Sequence, residues 1–222
     1  TADLIARAAG LRVQVFTPAN FLYNSAGALG RDPKKVLVAL ISQTGTSSGA
    51  LEALAEVQRL GVATLGVTDT EQSPMAVRPD RVLFLHCGEE DSNAKTKGYS
   101  ATLLALILLG LRLGRARGSL GEAEAQNIFR ELSGQVEELA LVQERVLRWC
   151  EDRRFGTALR DFYILGSGMN FGTALEGQLK LMETACIPTM FNDIGEFSHG
   201  MHRSITERST VVLLRASHPL AT

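Results

Sequence analysis

Residues 163–203 read YILGSGMNFGTALEGQLKLMETACIPTMFNDIGEFSHGMHR, and this stretch decides the fold of the second half of the chain. An apolar run at residues 162–165 ends in a Gly-Ser-Gly turn at residues 166–168. After the turn, apolar side chains recur through residues 175–182 with the three- and four-residue spacing of a helix. The pattern predicts a strand, a tight turn and a helix, an arrangement suited to binding a ligand.

Three charged side chains share one face of this predicted helix. Glu176, Lys180 and Glu183 follow one another at steps of four and three residues. One interpretation is a solvated row of ion pairs, each worth only ~0.3 kcal/mol. The other is an acid–base group that acts on a substrate. His199 lies between glycines in a predicted loop at residues 195–200 and favours the second interpretation, because loops on a rigid scaffold often carry chemistry.

The turn, the segment A-L-E-G-x-L-K-L-x-E and the segment G-E-x-x-H-G together resemble the second half of a pair of sugar isomerase (SIS) domains. The similarity is closest to the isomerase half of glucosamine-6-phosphate synthase and to the fructosamine-6-phosphate deglycases. The resemblance implies that Glu183 is the base for enolisation, that Lys180 handles the C1/C2 functional group and that His199 opens the sugar ring. It also implies a homodimer with a shared active site, because this histidine reaches into a neighbouring subunit in the family.

The composition of the chain is that of an ordinary globular protein. Of its 222 residues, 45% are apolar and 21% are charged, and the net charge is −1. This balance gives no general attraction to nucleic acid or to an anionic membrane, so neither is expected as a partner. The longest apolar run, at residues 103–111, is shorter than the roughly 20 residues that span a bilayer, and no signal peptide is visible. A cytoplasmic location is therefore expected.

The cysteines indicate reduced thiols rather than disulfides. Cys87, Cys150 and Cys186 are odd in number and far apart in the sequence. We interpret Cys186 as a small buried core residue rather than a reactive thiol. No spacing typical of a metal, P-loop or dinucleotide site appears, so we expect neither a metal nor a cofactor.

Both ends of the chain fall within predicted elements. The sequence begins in a helical pattern at residues 2–9 and ends just after an apolar run at residues 210–214. By comparison with the SIS family, a first strand with its Gly-Thr-Ser-like turn should precede the chain, and a C-terminal segment should follow it. We therefore expect both domains to be truncated.

Strands and helices alternate in the first half of the chain. A short strand is predicted at residues 11–16, followed by a loop that runs to residues 32–33. Residues 35–41 are almost continuously apolar, which is typical of a strand covered on both faces of a parallel sheet. The remaining signals are a helix at residues 50–60 and strands at residues 63–67 and 81–86. This alternation predicts a parallel α/β sheet.

The loop at residues 42–48 carries five hydroxyls in seven residues. It leads into a helix N-terminus, where free backbone N–H groups and the helix dipole suit a phosphate. A helix N-cap with surplus hydroxyls is the alternative. The loop also resembles the S-x-S-G-x-T phosphate loop of the SIS family, although Gly49 stands where the family usually has Asp. The implied phosphate-binding residues are Ser42, Gln43, Thr44 and Ser47.

A further segment precedes an apolar helix predicted at residues 101–113. Residues 90–99 resemble the E-x-x-V-A-S-T-K-x-Y/F segment of the family, which contacts the sugar hydroxyls. The resemblance implies sugar-binding roles for Glu90, Asn93 and Lys95, with Asn93 in place of valine and Lys95 in place of serine. Two interpretations of Lys95 remain: contact with a second anionic group of the substrate, or exposure to solvent.

A long amphipathic helix is predicted at residues 122–154. We interpret it as a linker between two sheets, because residues 45–54 and 170–179 are similar and each follow an apolar strand. The predicted fold is α/β, with two tandem SIS-type three-layer units that have mainly parallel sheets. The expected boundaries are a first SIS domain at residues 1–117, a linker helix at residues 118–157 and a second SIS domain at residues 158–222.

These features together predict an enzyme that acts on a small phosphosugar. One carboxylate can move a proton between C1 and C2 through an enediol, and an imidazole titrates in the range that suits ring opening. The expected function is a phosphosugar isomerase or deglycase acting on a ketose 6-phosphate or a fructosamine 6-phosphate. Two alternatives remain: the isomerase half of a glutamine–fructose-6-phosphate aminotransferase, and a non-catalytic sensor of sugar phosphates. A sensor needs the phosphate loop but not Glu183 and His199 together, which favours an enzyme.

Overall fold

The computed structural model describes residues 1–30, 32–151 and 160–215, and the chain divides into two compact units, Thr1–Ala125 and Gln126–Thr222. The first unit contains α1 (Ala2–Ala9), α2 (Pro18–Leu29), β1 (Leu37–Ile41), α3 (Ser48–Arg59), β2 (Ala63–Thr68), α4 (Pro74–Val77), β3 (Arg81–Phe84) and α5 (Lys97–Arg117). α6 (Glu122–Cys150) begins in the first unit and continues into the second, which also contains β4 (Asp161–Gly166), α7 (Met169–Thr184), β5 (Thr189–Asn192), α8 (Ile194–Phe197) and β6 (Ser209–Leu214). The fold is α/β with parallel sheets, as the sequence predicted.

The sheet of the first unit is parallel throughout, with the strand order β1-β2-β3. The central strand, β2, is buried along all but its first residue. Leu65 and Val67 point to one face, where they pack with the apolar side of α5. On the other face, Leu40 packs with Leu54 and Val57 of α3. Because all three strands run in the same direction, their carboxyl ends and the loops that follow them lie along one edge of the sheet.

α1 packs against α5 at two glycines of the longer helix. A Cβ atom at Gly110 would come within 2.9 Å of Ile5 Cγ1, and Gly114 lies against the backbone of Ala8.

α5 has 21 residues and extends well beyond the apolar run that the sequence singled out. By length and composition it is apolar enough to cross a membrane, a test that core helices also pass. Its contacts with α1 and β2 are those of a packing helix in an α/β unit.

The sheet of the second unit is also parallel, with the strand order β5-β4-β6. The side chains of the central strand, β4, alternate between two clusters. Phe162 and Ile164 pack with Ala174 of α7, whereas Tyr163 and Leu165 pack with Phe197 of α8. β4 therefore holds α7 on one side and α8 on the other.

The prediction for residues 11–33 was wrong. Residues 11–16 form no strand, and the predicted loop contains α2. Thr17 caps this helix by accepting a hydrogen bond from Asn20 N, and Pro18 occupies its first turn, where proline is favoured. The Thr-Pro pair is thus a helix start rather than a break.

Two further expectations needed correction. Leu37 and Ile41 of β1 are 52% and 48% exposed, so this strand is not covered on both faces. β1 lies at one end of its three-stranded sheet, a position that an apolar run does not reveal. Part of the predicted loop at residues 195–200 is helical, because α8 spans Ile194–Phe197. The predicted end of the linker helix, at residues 152–154, lies outside the described residues.

Candidate functional site

The loop after β1 is held in place by bonds to the central strand β2. Ser42 N donates to Val67 O at 2.9 Å, and Gly45 N donates to Ser42 O at 3.0 Å to close a turn. Thr68, at the end of β2, donates from Oγ1 to Gln43 O at 3.0 Å. The carboxyl edge of the sheet therefore fixes where the loop enters α3.

Gly45 is required at the tip of this loop for two reasons. Its φ of 69° lies in the left-handed region that glycine adopts at little cost. A Cβ atom there would also overlap the hydroxyl of Ser73, from the loop after β2. Within the described residues, Ser73 Oγ is buried without a hydrogen-bond partner, so the two loops pack closely at this point.

The N-terminus of α3 carries the features of an anion site. Ser47 occupies the N-cap position, yet its side chain makes no capping hydrogen bond. Thr44 Oγ1 and Thr46 Oγ1 lie 3.0 Å apart, and both residues are exposed. Ser42, in contrast, is only 7% exposed. The exposed hydroxyls and the first N–H groups of α3 can serve as donors to a phosphate.

The side chain of Gln43 links the ends of β1, β3 and α5. Its Nε2 lies 3.7 Å from Cys87 Sγ, after β3. Gly98, in the first turn of α5, lies so close that a Cβ atom there would overlap the Gln43 amide. Burial raises the pKa of the Cys87 thiol, and the nearby Asp69 carboxylate raises it further, so this thiol stays protonated at neutral pH. Gln43 thus has a structural role here, and its contact with phosphate stays a prediction.

Glu90 caps α5 with its carboxylate. Oε1 accepts from Thr96 N at 2.6 Å, from Lys97 N at 2.9 Å and from Thr96 Oγ1 at 2.8 Å. Oε2 accepts from Gly98 N at 3.1 Å. The bond from Thr96 N has the largest effect on the pKa of Glu90, and together the four bonds lower it to about 2. Since four donors already point at the carboxylate, its clearest role is to hold residues 90–98 in shape.

The other two predicted sugar-binding residues lie on the same capped segment. Lys95 is half-buried, and its Nζ donates to the backbone carbonyl of Glu90. Asn93 is exposed. The Lys95 ammonium is therefore folded back onto its own segment rather than extended into solvent, and its contact with a substrate stays a prediction.

Glu176, Lys180 and Glu183 share one face of α7, as predicted. Their side chains are less exposed than expected for ion pairs on a fully solvated helix face. Lys180 Nζ lies 2.9 Å from Glu183 Oε2 and 3.3 Å from Glu176 Oε1, and the three side chains are only 23–31% exposed. Gly177 lets this part of α7 approach β4, because a Cβ atom there would lie 2.9 Å from Ile164 Cδ1. The packing of α7 on β4 therefore sets the height of the charged group above the sheet.

Lys180 is held in its charged form by its two partners. Burial alone would lower the pKa of Lys180, but the hydrogen bonds to Glu183 and Glu176 outweigh that effect and raise it. The two carboxylates use two of the three ammonium donors. The arrangement provides an ammonium that can donate to a substrate oxygen beside a carboxylate that can accept a proton.

His199 lies in the turn that follows α8. Asp193 caps α8, its Oδ1 accepting from Gly195 N at 2.8 Å and Glu196 N at 3.4 Å. A hydrogen bond from Ser167, in the turn after β4, lowers the pKa of Asp193, and the bond from Gly195 N adds to the effect. The exposed imidazole of His199 is thus carried by a segment that is tied back to the end of the central strand.

Sequence reasoning missed several residues that shape these sites. Asp193 and Ser167 lie within the quoted stretch, and the Asp193 side chain three residues before Glu196 is a recognisable N-cap signal. Cys186 was expected to be buried, but it is exposed and has a φ of 51°. It follows Ala185, the C-cap residue of α7, at a position where a left-handed residue commonly ends a helix.

Comparison with known proteins identifies the first part of the chain. Residues 3–112 match the family model described as the SIS domain. This part of the chain is a SIS domain. The predicted resemblance to SIS proteins is thereby confirmed.

Relatives of known sequence and structure match beyond the SIS domain. A glutamine–fructose-6-phosphate aminotransferase (isomerizing) of Thermus thermophilus is 38% identical over 196 residues, which are 86% of this chain and 32% of that protein. A structure from Clostridium difficile, named only provisionally as a phosphosugar isomerase, is 26% identical with a TM-score of 0.89, and the match covers 98% of this chain and 62% of that one. The C-terminal domain of glucosamine–fructose-6-phosphate aminotransferase from Francisella tularensis shares the fold, with 23% identity and a TM-score of 0.82 over 99% of this chain and 61% of that one. The chain spans about a third of the length of the curated relatives it matches.

Glu90→Gln in the SIS domain tests the ionised cap on α5. Because the folded-state pKa of about 2 lies below the ordinary value of 4.5, the carboxylate stabilises the fold fully above that value and loses this contribution as the pH falls toward 2. We expect Glu90→Gln to lower the free energy of unfolding at neutral pH, with a difference from wild type that shrinks across this acidic window. Urea unfolding at a series of pH values measures this difference in the free energy of unfolding. Glu137→Gln, on the exposed surface of α6, is the control. A difference that does not change with pH would exclude the ionised cap.

Proposed function

We propose that the chain is the phosphosugar-handling part of an enzyme that acts on a ketose 6-phosphate or a fructosamine 6-phosphate. The reaction is a proton transfer through an enediol or an enolamine, as in an isomerase or a deglycase. The observation that carries the proposal is the sheltered group on α7, in which Lys180 is shared by Glu176 and Glu183. The SIS-domain match and the aminotransferase relatives support the same class of substrate.

The phosphate handle is assigned to the start of α3. Thr44 and Ser47 present exposed hydroxyls there, and the first N–H groups of the helix add donors without adding charge. Ser42 and Gln43 complete the proposed loop through their backbone, since the first is buried and the second is engaged with Gly98. Such a handle orients the substrate through binding energy that lies away from the reacting carbons.

The reacting carbons are assigned to α7. Glu183 is the base that takes a proton from C1 or C2 and returns it to the neighbouring carbon. Lys180 donates a hydrogen bond to the oxygen that gains charge in the enediol. Glu176 keeps the ammonium paired while Glu183 handles the proton, because the two carboxylates contact the same Nζ atom. In a deglycase, protonation of the enolamine at C2 gives an imine at C1, and water then breaks the C1–N bond to release an aldose 6-phosphate and the free amine.

Ring opening is assigned to His199, as in the family that the sequence resembles. An imidazole titrates near neutrality and can move a proton between the ring oxygen and the anomeric hydroxyl. We propose that the protein works as a homodimer in which this histidine serves a shared active site.

No cofactor or metal takes part in the proposed steps. Glu90, Asn93 and Lys95 are proposed to shape the sugar pocket, with Glu90 acting through its cap on α5.

The proposed organisation is a pair of SIS domains joined by α6. The first spans residues 1–117 and the second spans residues 158–222, with the linker at residues 118–157. A parallel sheet lies in each of the two compact units, which supports this division. The location proposed for such an enzyme is the cytoplasm.

A second candidate is the isomerase half of a glutamine–fructose-6-phosphate aminotransferase. The observation that favours it is the 38% identity with the Thermus thermophilus enzyme of that name, of which this chain matches about a third. The residues on α7 would have the same roles in both candidates. The candidates differ in what happens to the amine: a deglycase releases it, an aminotransferase takes it up and an isomerase uses none. An assay with and without ammonia can therefore separate them.

Glu183→Gln tests the proposed base. We expect the variant to lose about 10²- to 10⁴-fold of the rate of deuterium exchange at C1 and C2 of fructose 6-phosphate, because the amide cannot accept the proton. The matched variant Glu176→Gln, on the same face of α7, should lose at most about tenfold, since it removes only the second partner of Lys180. Exchange is followed by NMR in deuterated water with the full-length protein.

The same assay divides the candidate functions. Exchange without ammonia indicates an isomerase, release of an amine from fructosamine 6-phosphate indicates a deglycase, and formation of glucosamine 6-phosphate in the presence of ammonia indicates an aminotransferase. If wild-type protein binds fructose 6-phosphate and exchanges no deuterium, the protein is a sensor and the enzymatic proposal fails. Equal losses in Glu176→Gln and Glu183→Gln would contradict the assignment of the base.

Ser47→Ala and Thr44→Val test the proposed phosphate handle. Each removes one hydroxyl donor to a charged group, so each should raise the Kd for fructose 6-phosphate about tenfold. Ser133→Ala, on the exposed surface of α6, should change the Kd less than about threefold, because its hydroxyl donates to Phe129 O and lies outside the loop. Calorimetric titration measures the three constants. Unchanged affinity in Ser47→Ala and Thr44→Val would place the phosphate elsewhere.

A further inference from the structure

We propose that Tyr163 is a positioning residue for His199. Its side chain lies in the core of the second unit, only 4% exposed, and contacts the His199 segment on both sides of the histidine. The role rests on the proposed function, because it matters only if His199 opens the sugar ring. Tyr163 itself does not touch a substrate in this scheme.

On the C-terminal side of His199, Tyr163 starts a chain of two hydrogen bonds. Its hydroxyl donates to Ser204 Oγ at 2.9 Å and also lies 3.2 Å from Ser204 O, and Ser204 Oγ donates to Met201 O at 2.6 Å. The second bond ties the Ser204 side chain to the first residue of the 3₁₀ turn Met201–Ser204, which follows Gly200. Hydrogen bonds in such a chain polarise one another. The turn after the histidine is therefore anchored to the central strand.

On the N-terminal side, Tyr163 anchors the segment through its ring. The rings of Tyr163 and Phe197 meet edge to face with centroids 5.5 Å apart, and Phe197 is 6% exposed. Phe197 ends α8, and His199 N donates to Glu196 O at 3.1 Å in the turn that follows. One buried side chain thus contacts residues two before and five after the imidazole.

The span between the two anchors is short. Only residues 198–200 separate α8 from the 3₁₀ turn, and Gly200 has a φ of 134° that favours glycine. Asn192 Nδ2 also lies 2.8 Å from Met201 Sδ, which ties the end of β5 to the same turn. Loss of the tyrosine hydroxyl frees the segment after His199, whereas the ring contact with Phe197 still holds the segment before it. Small displacements of a catalytic group can cost up to about 10²-fold in rate.

Tyr163→Phe tests this role because it keeps the ring and removes the hydroxyl. The substrates are fructose 6-phosphate, which is mainly cyclic, and 5-deoxyfructose 6-phosphate, which cannot close a furanose ring because it lacks the 5-hydroxyl. With the full-length protein, we expect deuterium exchange at C1 of fructose 6-phosphate to slow about 5- to 50-fold, and exchange of the acyclic analogue to change less than about twofold. A merely structural loss would slow both substrates alike.

Ser204→Ala serves as the second variant: it removes the Oγ link to Met201 O and leaves the tyrosine hydroxyl 3.2 Å from the backbone carbonyl of residue 204. It should show a smaller loss than Tyr163→Phe, again selective for the cyclic substrate, and it keeps the proposal testable if Tyr163→Phe folds poorly. If wild-type protein exchanges both substrates and either folded variant slows both equally or neither, Tyr163 has no positioning role. If wild-type protein exchanges neither substrate, the proposed function itself fails, which is a different outcome from the first.

Discussion

The close approach of α7 to β4 is the constraint on which the second unit depends. Gly177 favours it, since a Cβ atom there would lie 2.9 Å from the terminal methyl group of Ile164. Ala174, one turn earlier, is fully buried in the same contact. With Ala174 and Gly177 facing β4, Glu176, Lys180 and Glu183 share the opposite, partly sheltered side of the helix. The electrostatics of the candidate site are thus a consequence of helix packing on a strand.

The first unit follows the same logic at the carboxyl edge of its sheet. Parallel pairing brings the loops after β1, β2 and β3 to one edge, and glycines let them pack without side chains between them. Gly45 lies against Ser73, and Gly98 lies against Gln43. Glu90 then locks the start of α5 with four hydrogen bonds, so the loop before α3 and the segment before α5 have fixed shapes. Contacts of this kind can pre-organise a binding site.

The sequence predicted most of the α/β alternation because its strands are apolar and its helices are periodic. It predicted the charged group on α7 from spacing alone, since residues three and four apart meet on a helix. The sequence-based prediction was wrong where structure or exposure depends on tertiary contacts. Thr17-Pro18 has the composition of a break but caps α2, and the exposure of β1 depends on its place in the sheet. The cap made by Glu90 and the contacts of Tyr163 join residues six to forty-one positions apart, which no local pattern reveals.

The central chemical claim is that Lys180 remains an ammonium shared by two carboxylates on α7. Site-resolved NMR titration of the Lys180 ammonium tests it directly, in wild-type protein and in the Glu176→Gln and Glu183→Gln variants. We predict that the pKa of Lys180 in wild-type protein lies above its ordinary value of 10.5 and falls in each variant as one hydrogen bond is lost. A wild-type pKa at or below that value, unchanged in both variants, would contradict the account.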